Sequence, residues 1–178
     1  MAPETGGKQV IEIGKKISTK YYLNEFSRDI IGVEGCSAIK NIYAMIIGAG
    51  QSLNTSSSLF QRSINEMKYL TKYFKGKETS TLGLAGVGDL YVSAAGGRNS
   101  KMGSYLGKGY TFKNAKKRFM PNDTVEGEQL VREIAPYIMR KINKKKIISK
   151  KINIDFKIEE TERFFNCRYF RTISHSKK

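Results

Sequence analysis

Acidic residues are scarce in this chain. Of its 178 residues, 16 are Asp or Glu against 32 Lys or Arg, a formal net charge of +16. The deficit is uneven: from Met139 onward there are 13 basic and 4 acidic residues, net +9, which leaves +7 for everything before. A basic surface attracts nucleic acid or anionic lipid through phosphate contacts. No zinc-ligand spacing and no aromatic RNP-like strand accompanies it, however. The 10 Tyr and 9 Phe residues are scattered and do not alternate with cations on one face. The charge therefore reads as composition, and no specific nucleic acid partner is expected. Cysteine is nearly absent: Cys36 and Cys167 are too few for a disulfide framework, Cys36 reads as a small packed residue, and the cytoplasm is the expected compartment. Long apolar runs are missing too. The longest, Asn41–Gly50, is too short to cross a bilayer, so no membrane span is expected. No apolar signal core follows Met1, which argues against secretion, and no internal repeat stands out.

Glycine, by contrast, is concentrated. Leu82 to Gly103, LGLAGVGDLYVSAAGGRNSKMG, holds six glycines, an isolated acid (Asp89), a hydroxyl four residues on (Ser93) and the pair Arg98-Asn99. Such density admits positive φ and close approach of backbone to backbone or ligand. In GGRNSK, two glycines deliver Arg98 and Asn99 to the start of a helix. There, free N–H groups and the positive dipole end suit a phosphate, with Arg98 as a charged fork. The plainer alternative is a glycine-rich turn with a solvated arginine. A second segment upstream, GVEGCSAIKNIYAMIIGAG (Gly32 to Gly50), sets one lysine, Lys40, in a run otherwise apolar or small. A lysine there is costly unless it is paired or does chemistry.

The rest reads as helix and connection. Lys8–Ile17 suits a short helix, and Ile17–Ile31 a strand or extended connection with Asn24 and Asp29 as turn residues. A buried helix runs from about Gly35 to Gly50. Asn54 to Ser58 supplies N-caps for an amphipathic helix whose Leu59, Phe60, Ile64, Met67, Leu70, Tyr73 and Phe74 recur at three and four residues. Short helices follow at Glu78–Leu84 and Phe112–Phe119, then one over Val125–Met139, which Pro136 should kink or stop. Beyond Arg140 the Lys-Ile-Asn-rich sequence has neither period. Disorder, a basic appendage and a non-native ending all stay open for it.

In this order, GCSAIKN, AGVGDL, GGRN and TVEG resemble the C-terminal helical domain of NAD(P)-dependent glycerol-3-phosphate dehydrogenase over about residues 20–140. The resemblance implies a mainly α, multi-helix substrate domain of the 6-phosphogluconate dehydrogenase C-terminal-like type, with a short extended N-terminal segment. It implies interconversion of dihydroxyacetone phosphate and sn-glycerol 3-phosphate, a glycerophospholipid precursor, using NAD or NADP. Lys40 then matches the catalytic lysine that exchanges the C2 hydroxyl proton, and Asp89 an acid that bonds Lys40 or the substrate. Asn41 and Ser93 line the substrate site, while Gly97, Arg98 and Asn99 hold its phosphate. Arg98, Thr124 and Glu126 reach the cofactor. For Glu126 alone, an acid stabilising a helix N-terminus is an equal reading. A homodimer is the family expectation.

The same comparison implies departures. A full enzyme of this kind begins with a strand and GxGxxG that seat a pyrophosphate on a helix N-terminus, and GLAGVG has the wrong spacing. The expected organisation is thus a remnant of the nucleotide-binding domain and its connection at 1–30, a helical catalytic domain at 31–140 and a basic tail at 141–178. Such a fragment is expected to be inactive alone, unless a separate chain supplies the nucleotide-binding half. The competing class is a non-enzymatic basic module that uses the tail and Phe112–Arg118 on an anionic surface.

Overall fold

The computed structural model describes residues 7–50 and 52–152, with side chains through Ile138 and at Arg140. Eight α-helices occur among these residues, with no strand: α1 (Gly7–Ile17), α2 (Ile30–Gly48), α3 (Leu53–Tyr73), α4 (Glu78–Leu82), α5 (Asp89–Gly96), α6 (Arg98–Gly107), α7 (Phe112–Phe119) and α8 (Glu126–Ile152). A single π-helical turn, Leu84–Gly88, joins α4 to α5.

The central element is α2, which packs against α3, α5, α6 and α8. Its two faces serve two apolar clusters. One joins Cys36, Ile39, Tyr43 and Ile47 to Met67 and Leu70 of α3, Leu90 of α5 and Ile138 of α8. The other joins Ile42 and Met45 to Met102 and Leu106 of α6, Ala115 of α7, Met120 and Val131. An all-round apolar sequence is what such a central helix needs. At 19 residues, α2 is longer than the apolar run foreseen, and by length and composition alone it would suffice to cross a membrane. Its burial by four partner helices is that of a core helix.

The α2 helix starts at Ile30, five residues before the sequence reading, because Asp29 is a cap and not a turn residue. Its Oδ1 accepts the Gly32 N–H at 3.1 Å, while Oδ2 accepts from the Lys77 N–H at 2.7 Å and the Ser80 hydroxyl at 2.6 Å. One carboxylate thus ties the starts of α2 and α4. Burial acts to raise the Asp29 pKa, but the hydrogen bonds from Ser80, Lys77 and Gly32, with the Lys77 charge, hold it below the usual aspartate value of 3.8. We expect Asp29→Ala to destabilise the chain by about 2 kcal/mol, a lost cap plus two lost hydrogen bonds. A lowered folded pKa means that this stability is complete above the ordinary aspartate range and is lost as pH falls through the folded value. In urea melts the gap between wild type and Asp29→Ala should therefore be full at pH 6 and shrink below pH 3.8.

Other boundaries also differ from the sequence reading. Helix α3 is capped by Ser52, whose Oγ accepts the Thr55 N–H at 3.2 Å, so Asn54–Ser58 lie inside its first turns. Residues 18–29 form a connection without strand. The α8 helix passes through Pro136 and on to Ile152, so neither the proline nor residue 140 ends it. Buried Val131 and Ile138 on either side of Pro136 hold the helix across the missing N–H. Residues 1–6 and 153–178, with much of the expected basic tail and Cys167, lie outside the described residues.

The crossing of α2 and α6 depends on two missing side chains. A Cβ on Gly103 of α6 would overlap the Met45 carbonyl of α2, and one on Gly48 would overlap the Ser100 carbonyl. The helices therefore cross with backbone nearly touching backbone. Opposite this crossing, the fully buried Cys36 sets its Sγ 3.4 Å from the hydroxyls of Thr71 in α3 and Thr81 in α4.

Candidate active site

Lys40 and Asn41 sit halfway along α2, and three other helices begin against them. Asp89 opens α5, Arg98 and Asn99 open α6, and Glu126 opens α8. The π turn brings in the first of these. Gly86 packs on the Thr81 carbonyl where any Cβ would collide, and the wider turn leads directly into Asp89. Such turns recur at functional positions. Asp89 Oδ2 accepts a hydrogen bond from Lys40 Nζ, and the two side chains are 38% and 17% exposed. The cost of a lysine in an apolar helix is thereby met by an ion pair that still reaches the surface.

Asn99 is the hub of the second half, and it is 5% exposed. Its Nδ2 donates to Asn41 Oδ1 at 3.2 Å and to Glu126 Oε2 at 3.1 Å, and its Oδ1 accepts the Gly127 N–H at 2.9 Å. Both N–H groups of the amide are used, so the side chain links α2, α6 and α8. Next to it, Arg98 donates from Nη2 to Glu126 Oε1 at 2.6 Å and from Nε to the Thr124 carbonyl at 3.0 Å. Burial acts to raise the Glu126 pKa, yet its own backbone N–H, Arg98 and Asn99 hold it below the usual glutamate value. The hydrogen bond and charge of Glu126 in turn raise the Arg98 pKa above its ordinary value.

The start of α6 is open. Gly97 takes an extended conformation as N-cap and offers no side chain, so the first-turn N–H groups are left for water or an anion. Ser93 supports this corner from behind: its carbonyl accepts the Gly97 N–H at 3.0 Å. Ser100 adds a bond from Oγ to the Ala94 carbonyl at 2.7 Å.

Of the residues named from the sequence, Lys40 and Asp89 are in contact, and Asn41, Arg98, Asn99 and Glu126 form one hydrogen-bonded cluster. Thr124 and Ser93 enter through backbone carbonyls, and Gly97 through its missing side chain. The reading missed Gly127, whose N–H anchors Asn99 and whose Cβ would crowd the Asn41 carbonyl and Asn99 Oδ1. It also gave no role to Gly48 and Gly103. A glycine inside a helix is the signal that could have found the latter pair.

A family model for the NAD-dependent glycerol-3-phosphate dehydrogenase C-terminus matches residues 29–165. The chain belongs to that family. The match runs past residue 140, where the resemblance read from the sequence stopped. Among relatives, the glycerol-3-phosphate dehydrogenase [NAD(P)+] of Phytoplasma australiense is 39% identical over 108 residues, covering 57% of this chain and 33% of the relative. The NADP(+)-dependent enzyme of Archaeoglobus fulgidus is 36% identical over 106 residues, 54% of this chain and 32% of its own. The family member therefore spans about a third of the length of the curated relatives it matches. The fold is that of the crystal structure of glycerol-3-phosphate dehydrogenase from Coxiella burnetii, with TM-score 0.69 and 22% identity over 95% of this chain and 51% of that one. The yeast Saccharomyces cerevisiae enzyme gives TM-score 0.70 at 17% identity over 93% and 52%. The mainly helical architecture expected from the resemblance is thus the one observed.

Proposed function

We propose that this helical unit supplies the substrate site and the proton in NAD(P)-dependent interconversion of dihydroxyacetone phosphate and sn-glycerol 3-phosphate. The observation that carries it is a shared site on α2: Lys40 holds Asp89 while its neighbour Asn41 bonds Asn99 beside Arg98. A proton-transfer pair and an anion-binding corner on consecutive residues suit a small substrate with a carbonyl carbon near a phosphate.

In the reducing direction the phosphate binds the first turn of α6 and Arg98, as a charge-assisted contact at a helix N-terminus. The C2 carbonyl oxygen then lies at Lys40, whose ammonium donates a hydrogen bond and, as the C–H bond forms, transfers its proton to the oxygen. Asp89 orients Lys40 Nζ through the ion pair between them. The nicotinamide, when bound, supplies the hydride that C2 receives. Arg98, Thr124 and Glu126 gather at one edge, with Arg98 56% exposed. They suit a rim contact to a dinucleotide and not the seat of a whole one, since the described residues hold no strand followed by a glycine turn and helix. The buried free Cys36 agrees with a reducing, cytoplasmic setting.

The cations of α7, the basis of the competing binding-module reading, are partly engaged within the fold. Lys116 Nζ donates to the Met120 and Pro121 carbonyls at 2.7 and 2.9 Å, and Arg118 lies over the Phe119 ring.

The test is calorimetric titration of the chain with sn-glycerol 3-phosphate. Binding that falls about tenfold or more in Arg98→Ala, and that glycerol does not share, is the expected result. Equal binding by the variant would sink the phosphate assignment.

A further inference from the structure

We propose that Glu126 is a built-in counter-anion, a carboxylate that sits over the Arg98 corner and must be displaced by an incoming phosphate. This rests on the reading of Arg98 as a phosphate-binding residue. The Glu126 carboxylate bridges two residues of that corner, with Oε1 on Arg98 Nη2 at 2.6 Å and Oε2 on Asn99 Nδ2 at 3.1 Å. Two carboxylate oxygens on a guanidinium and an amide occupy the places that two phosphate oxygens would take. The third neighbour, the start of α6, carries no side-chain cap.

The arrangement has a charge logic along the chain. No acid occurs in the 33 residues between Asp89 and Asp123, while Arg98, Lys101 and the cations of α7 all fall there. The first acids that follow are Asp123 and Glu126. Asp123 Oδ2 lies 3.9 Å from Lys101 Nζ, so the segment leading into α8 sets two carboxylates against two cations of α6. An empty cluster of cations around an open helix start would repel itself, and Glu126 relieves this.

The latch is weak enough to open. Arg98 and Glu126 are 56% and 41% exposed, and exposed pairs of this kind hold each other only modestly. A dianion that also gains the α6 N–H groups can displace a monovalent carboxylate, whereas a neutral or singly charged ligand gains less. Glu126 thereby sets a displacement cost that every anion meets at this corner. It lowers absolute affinity while doing so.

The experiment is titration of the full chain with inorganic phosphate and with sn-glycerol 3-phosphate at constant ionic strength, using wild type, Glu126→Gln, Glu126→Asp and Arg98→Ala. Thermal melts confirm that each variant is folded. Glu126→Gln removes the charge and keeps one of the two acceptor oxygens that Arg98 and Asn99 use, and it should bind both ligands about two- to fivefold more tightly than wild type. Glu126→Asp, shorter by one methylene, should fall between wild type and Glu126→Gln. Unchanged or weaker binding by Glu126→Gln, with binding still lost in Arg98→Ala, would overturn the counter-anion role and leave the phosphate site standing. Binding indifferent to Arg98→Ala, or absent from wild type and Glu126→Gln alike, would overturn both.

Discussion

Gly103→Ala should cost the chain about 3–5 kcal/mol and lower its melting temperature by roughly 10 °C or more. The methyl group would fall on the Met45 carbonyl oxygen, and its other near neighbours are the Met45 carbonyl carbon at 2.8 Å and the Ala49 nitrogen at 3.0 Å. All three are backbone atoms of α2 and its C-cap residue, so no rotamer change relieves the overlap, and α6 must move away. With it go Met102 and Leu106, both buried, and the corner that holds Arg98 and Asn99. The contrast is Gly35→Ala, also on α2, where an added Cβ meets nothing within 4 Å. That substitution should stabilise by about 0.5 kcal/mol or more through helix propensity. Circular-dichroism melts of the two variants check the pair. Similar melting temperatures for both would refute the close-crossing argument.

The second large effect is chemical. Lys40→Met should reduce the rate of dihydroxyacetone phosphate reduction by about 10²–10⁴-fold, assayed as NADH oxidation with a separately made nucleotide-binding half from a related enzyme. Affinity for sn-glycerol 3-phosphate should change far less, because the phosphate corner does not include Lys40. Methionine preserves the length of the side chain while removing the charge that faces Asp89. That acid is 38% exposed and can turn to solvent, so the fold should survive the change. A rate equal to that of wild type in the mixed assay would remove Lys40 from the proton-transfer role.

The site was legible from the sequence where a residue type is out of place. Lys40 interrupts an apolar helix and Asp89 interrupts a glycine-rich stretch, so each asks for a partner, and each turns out to contact the other. Arg98-Asn99 after two glycines announced a helix start. What could not be read is how Asn99 spends its amide, since an asparagine near a predicted ligand looks the same whether it faces a phosphate or three helices. The 58 residues separating Asn41 from Asn99 hide that bond from any local pattern. Helix ends failed for a related reason. Asp29 reads locally as a turn residue because its carboxylate is used three ways, two of them 48 and 51 residues away. Pro136 does not break α8 because packing on both of its sides, invisible in a period count, holds the helix together.

The cysteine enclosed by Thr71 and Thr81 gives the chain an internal clock. With its sulfur at zero exposure, Cys36 can meet an alkylating reagent only when α2, α3 and α4 part. The rate of its modification therefore counts opening events of the central bundle, independently of any ligand or cofactor. For a variant that loses function, slow labelling at Cys36 marks lost chemistry in an intact scaffold, and fast labelling marks a scaffold that has come apart.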